Sequence, residues 1–119
     1  MTLQECYTAM GGNYNDAIGR LRSDRLLQKF VLKFADDGSY SLLESSLAEE
    51  NYQEAFRAAH TIKGVCQNLS MTRLADSSSA LCESLRGGTP PAPGLAEQVR
   101  ADYQETVSAI RAFQEGITG

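Results

Sequence analysis

Several residue types are scarce in this chain of 119 residues, and each scarcity narrows what the chain can do. Tryptophan is absent, histidine occurs once, and the three cysteines (Cys6, Cys66 and Cys82) lie far apart. Zinc centres need closely paired ligands, so a metal site is not expected. The odd number of widely spaced cysteines instead predicts reduced thiols that are mostly buried.

Long apolar runs and clusters of basic residues are missing as well. No stretch approaches the ~20 apolar residues that a membrane span needs, and the first residues lack the segments of a signal peptide. The net charge of −4 argues against nucleic acid as the main partner. We therefore expect a cytoplasmic protein that binds neither membranes nor nucleic acid.

Proline is confined to one segment, 87–94, which holds all three prolines and several glycines. Proline denies a helix a backbone donor, so this segment is predicted to be a Gly/Pro loop between two helices. Elsewhere apolar residues recur at helical spacing, and no segment alternates for long with the period of two that indicates a strand.

Start and stop signals divide the helical pattern into segments. Ser23 or Asp24 can cap a helix that ends at residues 36–38. Asn51, with Glu54 three residues later, can cap a second helix that runs to about residue 69. Further helices are predicted at 3–10, around 18–21, at 40–50, from Ser70 or Thr72 to 85, and from 95 onward.

Consecutive amphipathic helices joined by short turns favour one architecture. The helix that ends at residue 85 places apolar residues at a and d spacing over two heptads, as helices in a bundle do. We predict an all-α fold: an antiparallel, up-down-up-down four-helix bundle with one or two extra N-terminal helices. One domain then spans 1–119, with 1–23 as an N-terminal extension and 24–114 as the bundle.

The single histidine, His60, lies within the predicted helix that begins after Asn51. At 100° per residue, it falls roughly 120° from the centre of that helix's apolar stripe. The wheel therefore predicts that His60 lies on the exposed flank of the helix rather than in the core.

Lys63, Gly64 and Gln67 follow His60 at positions that share its side of the helix. An imidazole is a nucleophile, and a nearby ammonium stabilises an anion added to it. Gly64 costs about 1 kcal/mol relative to alanine in a helix interior, but it leaves the approach to the imidazole open. A solvated histidine and a glycine that serves helix packing are the structural alternatives.

The segment 58–69 reads AAHTIKGVCQNL and closely resembles the signature of histidine-containing phosphotransfer (Hpt) domains. That signature is a helical A-H-x-[LI]-K-G followed by small residues, an asparagine and an aliphatic residue. The resemblance covers residues 24–114. Two positions depart from the family pattern: Ser70 replaces the usual glycine, and Gln67 replaces a small residue. Ser70 is expected to close the turn by capping the next helix.

The resemblance implies a phosphorelay protein of a two-component system rather than an enzyme with its own ATP site. Hpt domains carry a phosphoryl group on the histidine and exchange it with an aspartate of a response-regulator receiver domain. By this resemblance His60 is the phosphoryl acceptor, Lys63 neutralises phosphate charge, and Gly64 and Gln67 face the partner. No cofactor of its own is implied, since the receiver supplies Mg²⁺.

Other interpretations remain open from sequence alone. The chain can be a helical adaptor that binds a receiver or histidine kinase without carrying phosphate, or a module of a larger hybrid histidine kinase. The resemblance adds such a hybrid kinase as a second partner and favours a monomer. Neither the cognate partners nor the residue that orients the His60 ring can be read from the sequence.

Overall fold

The computed structural model describes residues 1–118, which form seven α-helices. The helices are α1 (Leu3–Ala9), α2 (Tyr14–Leu21), α3 (Asp24–Ala35), α4 (Ser39–Ala48), α5 (Tyr52–Asn68), α6 (Thr72–Leu85) and α7 (Leu95–Thr118). The predicted all-α class is confirmed. The segment 87–94 contains no helix and connects α6 to α7.

Side-chain caps fix where several helices begin. The Ser23 hydroxyl accepts a hydrogen bond from the Leu26 amide at 3.1 Å, so Ser23 rather than Asp24 is the N-cap of α3. The Asn51 side chain accepts from the Glu54 amide at 3.3 Å and begins α5. Each cap satisfies an amide that has no partner inside its helix.

The bundle consists of α4, α5, α6 and α7, which pack in chain order. The ring of four is closed by side chains that join α4 to α7. The Tyr40 and Tyr103 rings stack with centroids 3.8 Å apart, and Arg100 pairs with Glu44 at 3.0 Å. The predicted four-helix bundle is therefore confirmed. Of the three helices that precede these four in the chain, α1 and α2 lie before residue 24, where the sequence predicts one or two extra N-terminal helices.

The N-terminal helices contribute to the core rather than merely covering one end. Cys6, Tyr7 and Met10 of the first turns are almost wholly buried, and α1 packs along α7. All three cysteines are buried and free, as predicted. Burial raises the pKa of the Cys66 thiol to about 12, which keeps it protonated.

The turn between α5 and α6 differs from the sequence prediction. Ser70 has φ of 54°, in the left-handed region that favours glycine, and Met71 is the N-cap of α6. The Ser70 hydroxyl donates to Asp16 at 2.5 Å and accepts from Arg20 at 3.0 Å. The prediction that Ser70 caps α6 is therefore wrong, because its side chain is held by α2.

Further bonds attach the N-terminal segment to the same turn. The Tyr7 hydroxyl donates to the Leu69 carbonyl at 2.7 Å, and the Asn13 amide donates to the Ser70 carbonyl at 2.8 Å. Arg20 donates to the Asn68 carbonyl at 2.8 Å, where a cation also complements the negative end of the α5 dipole. The end of α5 is therefore anchored by residues far away in the chain.

Among residues 1–118, no helix combines the length and the apolar content needed to cross a bilayer.

Gly12 lies where the N-terminal segment meets the α5–α6 turn. A Cβ added to it would lie 2.7 Å from Cδ2 of Tyr7 and 2.9 Å from the Ser70 carbonyl oxygen. We expect Gly12→Ala to lower the free energy of unfolding by roughly 1–3 kcal/mol, the usual cost of overpacking. Chemical denaturation measures it.

Gly19→Ala is the matched control, because Gly19 lies in α2 and nothing lies within 4 Å of its added Cβ. Alanine should leave stability unchanged there or raise it by up to about 1 kcal/mol. Equal midpoints for the two variants would contradict the close packing of Gly12.

Candidate functional site

The orientation of α5 follows from the residues that it buries. Ala55, Ala59, Ile62 and Cys66 are all buried and form one stripe against the neighbouring helices. His60 lies off this stripe and is exposed, as its position on the helical wheel predicted. Small alanines let α4 and α6 approach closely, so the helix cannot rotate without losing this packing.

The four residues singled out by sequence lie on one outward face of α5. His60, Gly64 and Gln67 are exposed, and Lys63 is half-buried. They occupy about two turns, or roughly 10 Å along the helix axis. The structure therefore brings His60, Lys63, Gly64 and Gln67 together on this face.

Two further residues contact the imidazole. The Phe56 ring lies nearly parallel to that of His60, with an interplanar angle of 17° and centroids 6.1 Å apart. The Cys82 sulfur of α6 lies 3.9 Å from Nδ1 of His60. The Nδ1 edge of the ring therefore faces α6, and the Nε2 edge faces away from this contact.

Sequence reasoning did not identify Phe56 or Cys82 as neighbours of the imidazole. Phe56 precedes His60 by four residues, and that spacing was a signal that could have identified it. Cys82 gave no such signal, because its contact depends on how α6 is placed against α5.

Charged side chains from two helices surround this contact. Arg86 binds Glu83 through two hydrogen bonds of 3.1 Å and also lies over the Phe56 ring, 5.3 Å from its centroid. Burial raises the pKa of the Cys82 thiol, whereas the nearby charges of Lys63 and Arg86 act in the opposite direction. Because burial is the larger effect, the thiol stays protonated.

A shallow cavity adjoins the C-terminal half of α5. It has a volume of about 270 Å³ and lies between α3 and α5, where Phe30, Lys33, Val65 and Asn68 are among its lining residues. Phe30 is one of the few large apolar side chains that are exposed. Among residues 1–118, no group of three or more His, Cys, Asp or Glu could hold a metal ion.

Comparison with known protein families gives a match over most of the chain. The model of the Hpt domain matches residues 25–109, which include α3 to α6 and most of α7. This chain belongs to the Hpt domain family. Hpt domains take part in histidine phosphotransfer within phosphorelay signalling, where they are phosphocarriers rather than catalytic enzymes and act with response-regulator receivers. Neither the curated proteins nor the solved structures give a match.

Gly64 of this Hpt domain faces open space. No atom would lie within 4 Å of an added Cβ, outside the helix's own backbone and the adjacent residues. The contrast with Gly12 argues against a role of Gly64 in helix packing. A glycine that weakens its helix without improving the packing is consistent with a surface that must accommodate a partner.

Replacement of Gly64 by glutamine distinguishes an effect on access to the imidazole from an effect on the stability of the fold. We expect Gly64→Gln to keep or raise the free energy of unfolding, by up to about 1 kcal/mol, because glycine is a poor helix former. The same variant should transfer phosphate more slowly, because its side chain stands about 40° from His60 on the helix. Thermal denaturation and the transfer rate from a phosphorylated receiver measure the two effects.

Gly19→Gln is the control, since Gly19 is also an exposed helical glycine with open space around it. It should gain similar stability and transfer phosphate at the wild-type rate. A marked loss of stability in Gly64→Gln, or unchanged transfer, would contradict the role in access.

Proposed function

We propose that this Hpt domain carries a phosphoryl group on His60 and exchanges it with the aspartate of a receiver domain in a cytoplasmic two-component phosphorelay. The observation that carries the proposal is the position of the only histidine. It is exposed on α5 between a half-buried lysine and a glycine with open space above it.

The transfer needs a lone pair on an exposed ring nitrogen. Nε2 is the candidate, because the Nδ1 edge faces Cys82. As Nε2 forms its bond to phosphorus, the bond from phosphorus to the aspartyl oxygen breaks, and the carboxylate of the receiver leaves with the electron pair. The reaction requires little covalent chemistry from the protein beyond positioning and charge stabilisation.

Lys63 is suited to stabilise the added phosphate. None of the ion pairs formed among residues 1–118 involves Lys63, so its ammonium is not already neutralised. Arg86, in contrast, is paired with Glu83. Gln67 is exposed one turn beyond Lys63 and can donate a hydrogen bond to the phosphate or the partner.

The partner supplies what this site lacks. The Mg²⁺ that neutralises phosphate during transfer would be held by the receiver's carboxylates, and a hybrid histidine kinase would supply the phosphoryl group from ATP. Gly64 gives a receiver access to the imidazole, and the shallow cavity beside Phe30 extends the surface on which it can dock. This chain then acts as a monomeric carrier without an ATP site.

His60→Gln tests the carrier function directly. Incubation with a phosphorylated receiver should place phosphate on the wild-type protein that is labile in acid and stable in base. The variant should receive none, because no other histidine is present. Mass spectrometry locates the label.

Label on the His60→Gln protein would contradict the assignment of the acceptor. Receiver binding without any label on the wild-type protein would indicate an adaptor that does not carry phosphate. Circular dichroism of the variant provides the control for folding.

Lys63→Ala is expected to slow transfer and shorten the lifetime of the phosphohistidine, because it removes the cation that stabilises the phosphate. Stability should change little, since Lys63 lies at the edge of the buried stripe. The transfer rate of Lys63→Arg should lie between those of the wild-type protein and Lys63→Ala, because a guanidinium keeps the charge but binds phosphate with a different geometry. Rates from rapid-quench labelling check this, and a wild-type rate for Lys63→Ala would exclude the role.

A further inference from the structure

The contact between Cys82 and His60 joins the two helices at the functional histidine. Cys82 is only 1% exposed, and its sulfur lies 3.9 Å from Nδ1. The two nitrogens of an imidazole point away from each other across the ring. A contact that holds Nδ1 against a buried atom therefore leaves Nε2 as the nitrogen that an incoming group can reach.

Phe56 is a second neighbour of the imidazole, with ring centroids 6.1 Å apart. Its own ring is nearly parallel to the imidazole, and the guanidinium of Arg86 lies over it. Arg86 is in turn held by two hydrogen bonds to Glu83. The imidazole thus has an aromatic neighbour on its own helix and a buried sulfur at its Nδ1 edge, and of the two only the sulfur lies within hydrogen-bonding distance of a ring nitrogen.

We propose that Cys82 is a positioning residue that accepts a hydrogen bond from Nδ1–H of His60 and so leaves the lone pair on Nε2. This inference rests on the proposed function of His60 as a phosphoryl acceptor. The thiol sulfur can accept such a bond, although weakly. Burial keeps the thiol protonated, so the sulfur is a neutral partner that persists after Nε2 has been phosphorylated.

The tautomer can be measured without any phosphate. The chain has one histidine, so a long-range ¹H–¹⁵N spectrum contains a single imidazole and needs no assignment. Recorded at a pH high enough to remove the imidazolium form, the spectrum of the wild-type protein should show the ring proton on Nδ1. Cys82→Ala should shift the equilibrium towards the Nε2–H tautomer that free histidine prefers. Cys82→Ser, which retains an acceptor, should restore part of the Nδ1–H population.

The position of the phosphoryl group provides a second readout. Phosphoramidate can label a histidine directly: an imidazole nitrogen bonds to phosphorus, the P–N bond of the reagent breaks, and ammonia leaves with the electron pair. The wild-type protein should carry phosphate on Nε2 alone. Cys82→Ala should lose this selectivity and give a mixture of the Nε2 and Nδ1 products, which ³¹P and ¹⁵N shifts distinguish.

Cys66→Ala is the matched control, because Cys66 is an equally buried cysteine whose side chain faces the core. It should change neither the tautomer nor the regiochemistry. Identical spectra and products for the wild-type protein and Cys82→Ala would overturn the proposal, as would equal changes in Cys66→Ala. Failure of phosphoramidate to label wild-type His60 would count against the carrier function instead, and the tautomer measurement would still decide the role of Cys82.

Discussion

The rotation of α5 about its own axis is fixed by the side chains that it buries. Ala55, Ala59 and Ile62 are almost inaccessible to solvent, and a shift by one residue would turn the helix by about 100°. Such a shift would expose these apolar groups and bury the imidazole. Hydrophobic burial, rather than any polar contact, therefore decides which residues of α5 face a partner.

Once this rotation is fixed, α6 completes the surroundings of the imidazole. Cys82 lies in α6 and Arg86 directly follows its last residue, and neither is near His60 in sequence. Arg86 pairs with Glu83, whereas none of the ion pairs among residues 1–118 involves Lys63. The site thus combines a fixed cation on α5 with ring contacts on α5 and α6, and its integrity depends on the packing of these two helices.

The sequence was sufficient for features that depend on local spacing. The caps at Ser23 and Asn51, the helical bundle and the exposure of His60 all follow from periodicity and capping preferences within a few residues. The role of Ser70 was mistaken because its hydroxyl bonds to residues of α2 more than 45 positions away. The contact between Cys82 and His60 was missed for the same reason. It depends on how α5 and α6 pack against each other, and a local sequence pattern contains no information about that packing.

The anchoring of the α5–α6 turn by the first helices has a consequence for how this domain can be exchanged between proteins. The family match begins at residue 25, yet Tyr7 and Met10 complete the core and Tyr7 holds the Leu69 carbonyl. A gene fusion joined at residue 25 would separate α5 from the residues that anchor its end. The smallest segment that recombination could transfer with its core complete therefore begins at α1, more than 20 residues before the start of the family match at residue 25.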